Sequence, residues 1–199
     1  MYLVEFGALV VAALAGVVLC LLLLRNLVRP EIGFWPAASD RQKTLALVLF
    51  RVFCAAMVVE AGLMLWLHGF GNWSRYAIGV PIMVGAYAMS LWAYKHLGKE
   101  NTYFATGGLV TGGVYAYSRN PGYVASLAAA LGLAVVAGSW SVLALAGGLF
   151  LIYFLFALNE ERWLRQGYGH AFIEYMRQTP RFLDLRSLER AREELLARL

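Results

Sequence analysis

Two stretches of this chain hold residue types that could do chemistry together. The first runs Gly112-Gly113-Val114-Tyr115-Ala116-Tyr117-Ser118-Arg119-Asn120-Pro121-Gly122-Tyr123. Asn120 is a favoured helix cap and Pro121 suits the first helical position, so a helix is predicted to start here. A helix N-terminus attracts anions, and Arg119 beside it adds a fixed positive charge. An ordinary cap with an arginine reaching the lipid headgroups accounts for the same pattern equally well. The second stretch is Asn159-Glu160-Glu161-Arg162. Adjacent carboxylates on a helix diverge by about 100°, so each can address a different partner. A solvated helix end explains that run too.

Other candidates are weaker. Glu60 is a carboxylate inside an apolar run, where an unpaired charge is costly, and reads first as a structural polar contact and second as a pocket residue. His68, His96 and His170 share no metal-ligand spacing, and Cys20 and Cys54 sit in apolar segments as packing residues. No metal site is expected. Neither a Ser/His/Asp grouping nor a Walker-type loop occurs, and the paired glycines follow no strand.

The elements that position these residues belong to a membrane protein. Of 199 residues, 61% are hydrophobic and 15% charged, outside the range of soluble domains. The apolar runs approach the ~20 residues needed to cross a bilayer, and helices satisfy their own backbone there, so the fold is expected to be all-α. Five spans are predicted, at residues 2–24, 52–67, 76–94, 123–137 and 142–158. The first run lacks a basic leading segment and reads as a retained helix, not a signal peptide. Gly138 and Ser139 make a turn between the last two spans. Residues 29–43, with Pro30, Trp35 and Pro36, read as an extended interfacial stretch, and the glycine-rich segment 97–120 as a long functional loop. Residues 159–178 read as a polar and aromatic helix ended by Pro180, and 185–199 as an amphipathic helix along the membrane surface.

Charge sets the orientation. Arg25, Arg29, Arg41, Lys43, Lys95, Lys99, Arg119 and the Arg-rich tail fall on one side, and Arg75 alone on the other. This pattern predicts an N-terminus outside and a cytoplasmic C-terminus and site. The net charge of +5 is then directed at membrane lipids, not at nucleic acid.

In these residues the chain resembles the isoprenylcysteine carboxyl methyltransferase and phospholipid methyltransferase superfamily of integral membrane enzymes. Gly113-Val114-Tyr115 followed by Arg119-Asn120-Pro121-Gly122-Tyr123 is similar to the family's Gly-x-Tyr and Arg-His-Pro-x-Tyr signature. Glu160-Glu161, Tyr168-Gly169, Tyr175 and Pro180-Arg181-Phe182 are similar to its C-terminal pattern. The resemblance implies one membrane-embedded methyltransferase domain over 1–199, with N-terminal spans in 1–95 and a cofactor-binding half in 96–199. It implies methyl transfer from S-adenosylmethionine to a lipophilic substrate, foremost a prenylcysteine-like carboxylate. Gly112, Gly113, Val114, Tyr115, Arg119, Asn120, Pro121, Tyr123, Glu160 and Glu161 would bind the cofactor. Arg119, Tyr123, Glu161 and Arg181 are the catalytic candidates. Asn120 stands where the family has histidine, as in the phosphatidylethanolamine methyltransferases. A carboxylate acceptor needs an arginine to orient it, whereas a lipid amine needs a base such as Glu160, Glu161 or Tyr123. The sequence supplies both. Two further readings are a sterol-reductase-like enzyme using NADPH and a non-catalytic protein that binds lipid or a partner.

Overall fold

The computed structural model describes residues 2–36, 39–69, 71–102 and 108–197. Among the described residues there are six α-helices and no strand. They are α1 (Tyr2–Val28), α2 (Asp40–His68), α3 (Trp73–Thr102), α4 (Pro121–Ala137), α5 (Trp140–Gln178) and α6 (Leu185–Leu196), with short 3-10 turns at Pro30–Ile32 and Gly113–Ala116. The protein is an all-α membrane protein, as its composition requires.

Among the described residues, four helices are long and apolar enough to cross a bilayer: α1 over Phe6–Val28, α2 over Asp40–Leu67, α3 over Trp73–Lys95, and α5. α4 has 17 residues, a rise of about 25 Å against ~30 Å of hydrocarbon. The five expected spans are thus four long helices and one shorter one.

Three boundaries differ from the sequence reading. The stretch 29–43 is not extended throughout, because α2 begins at Asp40. The Ser39 hydroxyl accepts the Gln42 N–H at 3.4 Å, and the Gln42 side chain accepts the Ser39 N–H at 3.1 Å. That reciprocal cap satisfies donors that otherwise lack partners in a first turn. The loop expected over 97–120 is shorter, because α3 continues to Thr102. Gly107 lies outside the described residues. Finally, no break follows Leu158. α5 carries Glu160 and Glu161 within one helix and is interrupted only at Gly169, whose φ of 51° and ψ of −123° suit a residue without Cβ.

The chain divides into two compact units. The first comprises Met1–Val84 and Leu127–Glu160. In it α1 packs along α2, with Leu19, Leu23, Phe53, Val142 and Ile152 almost fully buried. Glycines permit close helix approaches within it. A Cβ on Gly79 of α3 would lie 2.7 Å from the Gly132 carbonyl oxygen, and one on Gly132 of α4 would lie 2.9 Å from that of Gly79. Backbone here meets backbone, the arrangement small residues permit between membrane helices. Glu60 is buried in α2, and Ser141 of α5 donates to its Oε1 at 2.5 Å.

The second unit comprises Gly85–Ser126 and Glu161–Leu199. Its buried residues include Val114, Ser118, Phe172, Tyr175, Thr179 and Ser187. On α6, Leu185, Leu188 and Leu196 are exposed while Ser187 faces inward.

Two outcomes are expected. Gly132→Val should lower thermal stability in detergent by about 1–3 kcal/mol, the usual cost of overpacking. Gly147→Ala, where an added Cβ meets nothing within 4 Å, should be neutral or stabilising by up to about 1 kcal/mol. Equal melting temperatures for both variants would remove the close crossing. For orientation, single cysteines at the exposed Glu31 and Asn72, in a chain with Cys20 and Cys54 replaced by alanine, should react with an impermeant thiol reagent from opposite sides of the membrane. Labelling of both from one side would overturn the expected topology.

Candidate functional site

The glycine pair of the signature stretch has a local cause. Gly112 is extended, at φ −97° and ψ 175°, and caps the 3-10 turn Gly113–Ala116. Gly113 has a φ of 60°, a left-handed conformation costly for residues with a Cβ. Within the turn the Val114 carbonyl accepts the Tyr117 and Ser118 N–H groups, but a turn this short ends before the following carbonyls gain such donors, so theirs must come from elsewhere. The C-terminal segment supplies them. Tyr175 Oη donates to the Tyr115 carbonyl at 2.7 Å, Thr179 Oγ1 to that of Ala116 at 3.5 Å, and Ser187 Oγ to that of Tyr117 at 2.7 Å. Arg190 also donates to the Ala116 carbonyl. In return the Arg119 N–H reaches the Pro180 carbonyl at 2.9 Å. Ser118 Oγ and Asn120 Nδ2 reach that of Arg181 at 3.3 and 3.0 Å. Loop and tail therefore fix each other over separations of about sixty to seventy residues.

At their junction lies a carboxylate between two guanidinium groups. Arg181 holds Glu161 in a two-donor fork, Nε to Oε1 at 2.7 Å and Nη2 to Oε2 at 2.9 Å. Arg119 Nη1 stands 3.1 Å from the same Oε1. That approach is an ion pair without hydrogen-bond alignment, since both Nη1 and Nε of Arg119 are buried and have no hydrogen-bond partner among the described residues. The Glu161 and Arg119 side chains are only 5% and 9% exposed, and that of Arg181 is 26% exposed. Burial lowers the pKa of the Arg119 guanidinium, Glu161 draws it back up, and Arg181 opposes it. The hydrogen bond to Glu161 raises that of Arg181 above its ordinary value. Both stay cationic at neutral pH. One negative charge faces two positive ones, and the buried donors of Arg119 are suited to a further anion.

The remaining candidates are placed as follows. Val114 is buried in the turn. Pro121 starts α4, and the Tyr123 N–H bonds to the Asn120 carbonyl at 3.1 Å. Asn120 occupies the cap position, but its amide nitrogen is spent on the tail. Glu160 belongs to the first unit, where Trp35 Nε1 donates to its Oε1 at 2.9 Å. Consecutive carboxylates thus take different partners, as their ~100° divergence on a helix allows. Sequence reasoning missed Ser118, Thr179, Ser187, Arg190 and Trp35 as supports. Ser, Thr and a tail arginine carry no spacing signal, since their acceptors are backbone carbonyls distant in the chain.

The sequence model of the family described as phospholipid methyltransferase matches residues 74–171, which span the signature loop and the Glu160–Glu161 pair but stop before Arg181. The chain is also similar to a cobalt-zinc-cadmium resistance protein, CzcN, of Cupriavidus metallidurans, at 31% identity over 165 residues, or 78% of this chain and 73% of that protein. No solved structure matches. The chain belongs to the phospholipid methyltransferase family, a class of membrane proteins.

Replacing Glu161 by glutamine would leave two guanidinium groups side by side without their carboxylate. Breaking a buried ion pair costs about 3–5 kcal/mol, and the partial exposure of Arg181 puts the expectation near the lower end. Thermal unfolding of Glu161→Gln in detergent should show this loss. A melting temperature within a degree of the parent would show that the cluster contributes nothing to the fold.

Proposed function

We propose that this protein transfers a methyl group from S-adenosylmethionine to the carboxylate of a lipophilic, prenylcysteine-like acceptor, at the cytoplasmic face of the membrane. The observation that carries this reading is Arg119, a buried guanidinium whose Nε and Nη1 have no hydrogen-bond partner among the described residues. A buried donor without a partner costs about 1–3 kcal/mol, and since Nη1 already stands in the ion pair with Glu161, it is Nε that is suited to an anion that completes it. An acceptor carboxylate is already a nucleophile and needs orientation, which a planar two-donor contact provides.

S-adenosylmethionine, when bound, supplies a methyl group on a sulfonium, and attack by an acceptor oxygen forms the O–CH3 bond while the S–CH3 bond breaks to leave a neutral thioether. The chain's own residues position the partners. The extended Gly112 and left-handed Gly113 present backbone without side-chain bulk, which suits close approach of a ligand. Glu160 is proposed to accept hydrogen bonds from cofactor amino or hydroxyl groups, and Tyr123 to orient the acceptor. Glu161 acts through the arginines, because its two oxygens are already taken up by Arg181 and Arg119. That occupancy favours a carboxylate acceptor over an amine, which would require a base at this position.

S-adenosylmethionine or its demethylated product should bind the purified protein, and radiolabel should pass to prenylcysteine acceptors in preference to amine headgroups. Arg119→Lys keeps the charge and loses the fork. It should leave the melting temperature near that of the parent while lowering affinity or turnover at least about tenfold, some 1.4 kcal/mol. Full activity in Arg119→Lys would withdraw the role of Arg119. Transfer to amine headgroups alone would move the acceptor to the phospholipid class.

A further inference from the structure

We infer that Trp35 is a positioning residue for Glu160, fixing through its indole N–H the carboxylate assigned above to the cofactor; the inference rests on that assignment. Trp35 lies in the link between α1 and α2, far in sequence from the signature motifs and outside the region matched by the family. Its Nε1 donates to Glu160 Oε1 at 2.9 Å, and its ring meets Phe156, one turn earlier on α5, edge-on with centroids 5.0 Å apart.

A link between helices would ordinarily be a poor platform for such a contact. Here its backbone is pinned on both sides of the indole. Asn26, at the end of α1, accepts the Phe34 N–H through Oδ1 at 2.8 Å and donates through Nδ2 to the Trp35 carbonyl at 2.8 Å. The same Nδ2 reaches Asn159 Oδ1 at 2.7 Å. Asn159 in turn donates to the carbonyls of Leu23, at 3.3 Å, and Leu155, at 2.8 Å. Asn26 and Asn159 are both almost fully buried. A continuous network therefore runs from α5 at Asn159 through Asn26 to the link, and returns to α5 at the next residue, Glu160. Its geometry fixes where the Trp35 donor stands relative to the helix that carries the carboxylate. A core tryptophan needs only some acceptor for its N–H. This one instead uses a charged side chain that directly follows Asn159, the hydrogen-bond partner of the Asn26 that anchors its own backbone.

The test is a double-mutant cycle on the full-length protein, with S-adenosylhomocysteine as the calorimetric probe. Trp35→Phe removes the donor and keeps an aromatic ring, and replacing Trp35 by its benzothienyl analogue keeps ring size and shape while exchanging N–H for sulfur. Each should weaken binding about threefold to tenfold, less than the loss of a charge-assisted bond to the ligand itself, because the carboxylate stays and loses only the donor that orients it. In a Glu160→Gln background, neither should weaken binding further. That non-additivity is what a merely structural tryptophan would not give. If either Trp35 variant that folds binds like the parent, or loses as much affinity in the Glu160→Gln background as in the parent, the inference is overturned while the cofactor reading stands. A parent protein that binds no S-adenosylhomocysteine overturns the cofactor reading and this inference with it.

Discussion

A carboxylate removed from water is stable only where cations and donors replace its hydration, and in the second unit everything near the signature loop is arranged around one such group. Glu161 is clasped by the fork of Arg181 and approached by Arg119, and these residues come from three separate segments. Arg119 is delivered by the loop before α4, Arg181 by the tail after α5, and Glu161 by α5 itself. Around this triad the backbone is tied as well, with tail side chains on loop carbonyls and loop donors on tail carbonyls. The turn at Gly113–Ala116 has little regular structure of its own. It holds its shape because the tail satisfies it.

The first unit meets a different constraint. Between helices in a bilayer there is no hydrophobic driving force, so association depends on close packing and on hydrogen bonds. Both are visible. Gly79 and Gly132 bring α3 and α4 into backbone contact, and Gly16 makes room for the Phe53 ring, whose carbons would lie 3.0 Å from an added Cβ. Asn26 with Asn159, and Glu60 with Ser141, join α1 to α5 and α2 to α5. Interhelical hydrogen bonds in membranes contribute about 0.6 kcal/mol each on average, so their value lies as much in registering the helices as in holding them. Register matters here, because Glu160 follows Asn159 and inherits its orientation.

A second consequence concerns charge. The site carries two arginines for one paired carboxylate, and the Arg119 donors are sheltered from water. A preorganised cation of this kind acts on an anion without the reorganisation that solvent would require. The same arrangement makes the loop sensitive to distant changes, since Arg181, Ser187 and Arg190 all lie in the tail.

Composition and hydropathy alone determined the solvent, the all-α class and the approximate helices, because a bilayer permits few backbone solutions. The start of α4 at Pro121 was legible from Asn120-Pro121, and the start of α2 was written in Ser39 and Gln42, although the neighbouring prolines and tryptophan masked it. The motif residues Arg119, Glu161 and Arg181 could be named from their order in the chain. Their pairing could not. Whether Glu161 faces a ligand or two arginines depends on which segments fold back on α5, and sequence spacing is silent once the partners lie beyond a few helical turns, as Arg181 does at 20 residues from Glu161. The same holds for Glu160, whose partner Trp35 lies 125 residues away, and for the tail hydroxyls that grip the loop. Local propensity sets helices and caps because those interactions span three or four residues. The partners of buried polar groups are chosen by the tertiary structure, because each must find whichever donor or acceptor the packing of distant segments brings within about 3 Å.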